Sequence, residues 1–575
     1  MTGWFDPLNL AAVALRVAIS TVFGEFDDRR DSMAGSRPID PKALDPTFDY
    51  SQESHGEFWF DYVADIGDGW DSTYAIARLL SKSSLKITDV QPLPMGRLLI
   101  FGGDQVYPTA SRDEYNQKLV EPYSMAAAAE GPWPSKRPHL YAIPGNHDWY
   151  DGLLAFLGLF CTRRLSTAWN TQRKGREIGG RETRQVRSYF ALKLPHSWWL
   201  WGVDSQFEGY IDQPQIDFFA HVSREWMPND AKLIICAGFP SWSHVDVKNP
   251  LPAFRNFSYL EGLAASANRG QQVRLVLSGD SHHYSRFVEG SRHYITCGGG
   301  GAFLHPTHQL KDISFVWPYP PPDVQGPAKP GKYLRSFNIA TGEGTTAESL
   351  YPSREVSRRL ALGNLLFAFF NWQFTVTTGI LCAIFAWLLH ANAVTRGHGL
   401  GEMLASKSLV KALGAYMDLV FLSPWPIISA VIACAGYVQF SSFKPGMPRL
   451  FAGGLHAVIQ IVSVAVLSCY AADLLVGSSD AALVTAIGIL GGFSSATLMG
   501  IYLLVSVNVF HVHWNEAFSS LRIRHYKSFL RCRIDENGAI TVFPVGLDTV
   551  PRDRSDPPTN PALTPHMIET IPNIS

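Results

Sequence analysis

The sequence predicts an α/β domain in its first half and an α-helical transmembrane region of four spans in its second. Three observations carry that prediction. Between about Asp45 and Phe315, short apolar runs alternate with loops bearing Asp, Asn, His and Gly. Only 17% of the 575 residues are charged, against ~25% in ordinary soluble domains, while 46% are hydrophobic. From about Leu360 the chain carries four apolar stretches, each reaching the ~20 residues a helix needs to cross a bilayer.

In the first half, FWFDYVAD, RLLIFGGD, HLYAIPGNHD, WWLWGVDS, KLIICAG, VRLVLSGD and HYITCGGGG each read as a buried strand running into a polar or glycine-rich turn. Loops leaving strand ends are where layered α/β folds carry their chemistry. The predicted organisation is an amphipathic or irregular segment over 1–44, this domain over 45–315 and a Pro-rich connector over 316–360. The helical region over 361–510 and a C-terminal segment over 511–575 follow. That last segment reads as a short basic helix and then a hairpin turning at Glu536-Asn537-Gly538. The N-terminus has no basic stretch ahead of its apolar residues, so it reads as an amphipathic helix and not as a secretory signal.

The four spans are Gly363–His390, Leu419–Phe440, Phe451–Ala472 and Ala481–Phe510, and none contains Lys, Arg, Asp or Glu. Four crossings put both flanks and the loop between spans two and three on one side. That side holds Arg354, Arg358, Arg359, Lys444, Arg449, Arg522, Arg524, Lys527, Arg531 and Arg533, against Arg396, Lys407 and Lys411 on the other. Seven scattered cysteines make no disulfide framework, which fits a reducing compartment. The expectation is a multi-pass protein of the cell membrane with its α/β domain and both termini in the cytoplasm. Asn371, Gln373, His456 and Gln460 inside the spans read as interhelical hydrogen bonders, because no acidic or basic pair marks a transport relay. A net charge of −1 excludes a nucleic-acid partner held by a broad cationic field.

Three loops are sharply written: GGDQVYP (Gly102–Pro108), GNHDWYDG (Gly145–Gly152) and SGDSHHYSR (Ser278–Arg286). A fourth, ADIGDGWDS (Ala64–Ser72), precedes them. In this order, over about residues 55–310, the blocks resemble the calcineurin-like metallophosphoesterases. The resemblance implies a β-sandwich flanked by helices, two divalent metal ions (Mn, Fe or Zn), and hydrolysis of a phosphomonoester or phosphodiester. By the same resemblance Asp104 bridges both ions, Asp65 and His282 bind the first, and Asn146 binds the second. Asp280 would serve the second ion in place of an imidazole. His147 would contact the phosphate and protonate the leaving group, with Asp148 orienting its ring. Hard oxygen donors and neutral imidazoles suit such ions, which activate water and stabilise the departing oxygen.

The departures are specific. The first block has Gly67 where the family has a histidine, so Asp68 or a water must substitute. The lone histidine after the fourth strand is missing from Ala237–His244, leaving His244 as the residue that could reach back. His283 is a further candidate phosphate contact. These losses keep a second reading open, a degenerate site that senses a phosphorylated ligand without catalysis. An anchored enzyme makes a lipid-linked ester an attractive substrate. The glycine run before HPTH (His305–His308) reads as a close turn, and HVHWNE (His511–Glu516) as an interfacial anchor.

Overall fold

The computed structural model describes residues 1–11, 13–14, 48–53, 56–131, 133–134, 136–161, 176–205, 211–265, 271–322, 330–406, 408–552 and 562–575. Most of the segment expected to be an N-terminal amphipathic helix, the middle of the Pro-rich run and Lys407 lie outside them. The chain divides into two compact units. The first joins 1–2 and 13–354 to 523–575, and the second joins 3–12 to 355–522.

The first unit is built on two stacked sheets. At the centre of one, β1 (Phe58–Val63) runs parallel to β2 (Leu98–Phe101), which runs parallel to β3 (His139–Ala142). In the other, β4 (Trp198–Val203), β5 (Lys232–Ala237), β6 (Gln272–Ser278) and β8 (Arg292–Cys297) are parallel neighbours, and β7 (Tyr284–Glu289) pairs antiparallel with β8. Parallel strands covered on both faces need continuous apolar runs, and LLIF, HLYA and WWLWGV are buried throughout. Phe58, Phe60 and Tyr62 of β1 meet Leu200, Ile234 and Leu275 between the sheets. The outer face of the first sheet is covered by helices that include α1 (Trp70–Ser81), and that of the second by Gln213–His221 and Leu251–Ala265. This is the expected β-sandwich flanked by helices.

The first sheet also contains strands from beyond the apolar region. β9 (Lys527–Ile534) lies antiparallel to β1, and β10 (Ile540–Leu547) pairs with β9. Residues expected to begin a basic helix are instead a turn at 520–522 and an irregular stretch over 523–526 that leads into this strand. The β9 pairing is locked by Arg531, whose Nε and Nη2 donate to the two carboxylate oxygens of Asp61 at 2.7 and 3.1 Å, with both side chains fully buried. Further on, Glu569 accepts from buried Arg286 at 2.6 and 3.0 Å, fastening the C-terminal residues to the second sheet.

The segment expected to be a connector is also strand in part. Tyr333–Ile339 pairs with Ile313–Trp317 and with β7. Its period-two pattern explains this, since Arg335 and Phe337 are buried while Leu334 faces out.

Among the described residues, the second unit has three helices long and apolar enough to cross a bilayer: α2 (Trp372–Thr395), α5 (Met447–Leu474), and α6 (Asp480–Val505), which continues as a π-turn to Phe510. The second expected span is not one rod. It is a pair, α3 (Leu409–Phe421) and α4 (Pro424–Phe440), bent by 98°. Pro424 cannot continue α3, and it pushes Ser423 to φ −142°, ψ 159° before starting the new helix. The first expected span likewise breaks at Asn371, whose Nδ2 donates to the Phe367 and Ser520 carbonyls. Helices α2 and α6 meet through small residues, and a Cβ on Gly492 would lie 2.5 Å from the Thr375 carbonyl.

Candidate active site

The loops that follow β1, β2 and β6 each open on an aspartate in the left-handed backbone region: Asp65 at φ 58°, Asp104 at φ 50° and Asp280 at φ 65°. That conformation costs a non-glycine residue on the order of 1 kcal/mol, so three at matching strand ends mark an imposed geometry. The first two loops are zipped together by Asp65 N to Gly103 O, Ile66 N to Asp104 O and Gly67 N to Gln105 O, at 2.9–3.0 Å. Gly145 lets the third loop close over them, because a Cβ there would fall 2.2 Å from Asp104 Oδ1. Asp104 Oδ1 also accepts the His147 amide at 2.9 Å.

At the centre stands the Tyr107 hydroxyl. It lies 2.8 Å from Asp65 Oδ1, 3.1 Å from Asp104 Oδ2 and 2.9 Å from His282 Nε2. His282 Nδ1 faces the Phe303 carbonyl at 2.8 Å. A carbonyl only accepts, so Nδ1 carries the proton and Nε2 presents a lone pair. Three acceptors therefore crowd one hydroxyl that has a single proton. Asp65 Oδ2 is buried with no hydrogen-bond partner among the described residues, between Gly279 and Gly298, where added Cβ atoms would come within 2.9 and 2.4 Å of it. Burial, and then Asp104 and Asp280, drive the Asp65 carboxyl well above its ordinary range. Burial likewise raises Asp104, and it pushes Asp280 up to about 7. His282 is held well below its usual value by burial first, which keeps it a neutral donor.

A surplus of lone pairs without protons is what a bound cation resolves. Asp65, Asp104, Tyr107 and His282 are the residues that could hold one hard divalent ion, offering oxygen donors and one imidazole. Among the described residues, His, Cys, Asp and Glu side chains alone make no such group of three. Tyr107, in the GGDQVYP loop, is the candidate donor that sequence reasoning missed. It stands beside the ligand pair that a first-block histidine was expected to complete.

The other candidates are distributed unevenly. Asn146 makes a long 3.4 Å contact from Nδ2 to the Tyr150 hydroxyl, and Asp280 donates its backbone N–H to Asp65 Oδ1 at 3.1 Å. His147 Nδ1 meets the Pro108 carbonyl at 2.7 Å, so that carbonyl fixes its tautomer. Asp148, expected to do so, instead accepts from the Gly145 and Gln105 amides and the Tyr115 hydroxyl, clamping the loop. Asp68, the expected substitute for the absent histidine, has both carboxylate oxygens engaged, accepting the Thr2 and Phe303 amides. His244 turns Nδ1 toward Pro240 O and Ser243 Oγ and packs on Phe239. His283 is buried with Nδ1 unpartnered among the described residues, and burial with His244 nearby drives it down to about 3.

Two further residues join the cluster without having been expected. His305 stacks on His282 at 3.8 Å, and its Nδ1 accepts the His282 amide. Lys527 of β9 is fully buried, donates to the Ala302 carbonyl, and is pushed down to about 7 by burial against the pull of Asp68 and Asp65. The HPTH run held a visible signal for the first. Nothing local signals the second.

Residues 58–284 match the family model of the calcineurin-like phosphoesterases. The chain carries a calcineurin-like phosphoesterase domain. The match ends at Tyr284, so most of β7, all of β8 and the β9–β10 hairpin complete this phosphoesterase sandwich from outside the matched segment. A solved structure described as "GAP50 the anchor in the inner membrane complex of Plasmodium" is similar over 44% of this chain and 74% of its own, at 13% identity and a TM-score of 0.30. No curated protein matches the chain.

Proposed function

We propose that the phosphoesterase domain hydrolyses phosphate monoesters or diesters with divalent metal ions of the Mn, Fe or Zn class. The observation that carries this is the surplus of buried acceptors around Tyr107, at strand ends where the family keeps its chemistry. Asp65, Asp104, Tyr107 and His282 would hold the first ion, and Asp104, Asn146 and Asp280 a second. When bound, such ions polarise the phosphate ester and make water acidic enough to attack at neutral pH. His147 would then exchange a proton with the leaving oxygen through Nε2, because its Nδ1 is committed to Pro108. Asp148 keeps the Gly145–Asp151 turn rigid beneath it. A lipid-linked ester is the substrate class we favour for a chain with this much membrane-length apolar helix.

The test is turnover of an aryl phosphate monoester and an aryl diester by the full chain after loading with Mn, Fe or Zn. Hydrolysis of one that is lost with chelator and restored by metal is expected. No turnover with any of these metals would reject catalysis. The fourth loop, Ala237–His244, which lacks the lone histidine that the resemblance implies, favours one alternative, a phosphate-ligand sensor. Under that reading, phosphate raises the thermal midpoint of a metal-loaded protein that remains inert.

The β1–β9 pairing supports a shared-face topology. Strands from before and after the apolar region share one sheet, which favours both flanks on one face of the membrane and an even number of crossings. We infer that the bent α3–α4 pair counts as a crossing, which makes four, and that the shared face is cytoplasmic. Lys527 and Arg531 weigh less in that assignment than the basic-residue count implied, since both are buried in the sandwich. Cys297 and Cys532 are also buried, out of reach of a thiol-reactive topology probe, so reporters belong at the termini. Fusions at either end are expected to report the cytoplasm, and opposite faces for the two ends would contradict the sheet.

A further inference from the structure

The helical unit has a half-open cavity of about 350 Å³ walled by residues of α2, α3, α4, α5 and α6, including Leu381, Phe385, Tyr416, Ile432 and Val464. Among the described residues, no Lys, Arg, Asp or Glu lines it. Of its polar wall residues, Ser429 and Thr378 spend their hydroxyls on carbonyls one turn back in their own helices. Gln460 is different. It is 3% exposed, and its Nε2 donates at 3.1 Å both to the Ser495 carbonyl and to His456 Nε2, while its Oε1 has no partner among the described residues. The amide cannot be turned over, because its oxygen would then face the Ser495 carbonyl. The uncommitted group is therefore an acceptor, and it asks for an O–H or N–H donor. Where no water can serve, an unmet acceptor in an apolar layer costs several kcal/mol, which favours filling the site.

We propose that this cavity binds a neutral lipid alcohol, its apolar body against Leu381, Phe385, Ile432 and Val464 and its hydroxyl donating to Gln460 Oε1. The absence of a cation on the described walls disfavours phosphate and carboxylate headgroups, since a buried anion there would be unpaired. The volume is at the small end of ligand pockets, roughly 300–1,000 Å³, which suits a ring system or a chain segment. Helices of membrane length give such a molecule direct access from the bilayer. This inference is independent of catalysis in the phosphoesterase domain.

The test is photolabelling of the full chain in nanodiscs with a diazirine sterol, a diazirine linear prenol, and the O-methyl ether of each. The two alcohol arms separate a ring-shaped from a chain-shaped occupant, and preference for either alcohol over its ether supports the site. Labelling of α4 and α5 peptides by the preferred alcohol is expected to exceed that by its ether roughly fivefold, the worth of one hydrogen bond in a membrane protein. Gln460→Leu is expected to erase that ratio, and Ala433→Trp, which fills the cavity from an exposed wall position, to abolish labelling by both forms. Equal labelling by alcohol and ether in the unmodified chain overturns the proposal, as does a preference that survives Gln460→Leu or labelling that survives Ala433→Trp. If Gln460→Leu fails to fold, the alcohol-to-ether ratio and Ala433→Trp still decide.

Discussion

Asp104→Asn is expected to lower phosphate-ester hydrolysis on the order of a thousandfold, because it removes a charge that the proposed ions share and whose interaction is worth several kcal/mol in the transition state. The fold should survive. Asparagine tolerates the left-handed conformation that Asp104 adopts at φ 50°. Its amide oxygen can still accept the His147 N–H now bound by Oδ1. Removing a buried carboxylate also relieves the repulsion that raises Asp65 and Asp148. The variant should therefore unfold no earlier than the parent in the absence of metal. Near-parental turnover would remove Asp104 from the machinery.

Arg531→Ala is expected to cost about 3–5 kcal/mol of stability, the range for breaking a fully buried ion pair from one side. Among the described residues, the Asp61 carboxylate would then keep the Gly96 amide, at 3.2 Å, as its hydrogen-bond donor, and the buried Arg181 guanidinium as the nearby cation. The Leu93 carbonyl would lose the Arg531 Nη1 donor. Because Arg531 sits on β9 and Asp61 on β1, the variant should loosen the hairpin first, read as faster amide exchange along Lys527–Leu547 than in the rest of the sandwich. The double variant Asp61→Leu, Arg531→Met should recover most of the loss, since apolar pairs of similar size often replace buried ion pairs at little cost. A single variant as stable as the parent would mean that β9 is held by its apolar residues alone.

Residues with local signals are legible in the sequence. The strands LLIF and HLYA are unbroken apolar runs ended by Gly-Asp and Gly-Asn-His, which is enough to place Asp104, Asn146 and His147 on strand-ending loops. Apolar length alone likewise marks α2, α5 and α6. What escapes is non-local or depends on partners. Asp61 and Arg531 are 470 positions apart, and nothing in either segment announces the pairing. Lys527 reaches the acidic cluster through the same strand. Asp68 and Asp148 carry the right functional group for a site, yet backbone amides from Phe303 and Gly145 claim them, and sequence spacing does not encode such competition. The bend between α3 and α4 is written in Ser423-Pro424, but the apolar pattern runs across it without a change in hydrophobicity. Tyr107 stands inside a sharply written block, yet a phenol there has the same local pattern whether it packs or binds.

Metal content of the purified full chain after loading and desalting shows whether Asp65, Asp104, Tyr107 and His282 hold an ion. At least one tightly held ion of the Mn, Fe or Zn class per chain is expected, with affinity lowered roughly tenfold to a hundredfold by Tyr107→Phe, the scale seen when the groups supporting a metal are removed. A chain that retains no metal, or a Tyr107→Phe variant that binds as tightly as the parent, would contradict a metal site on these four residues.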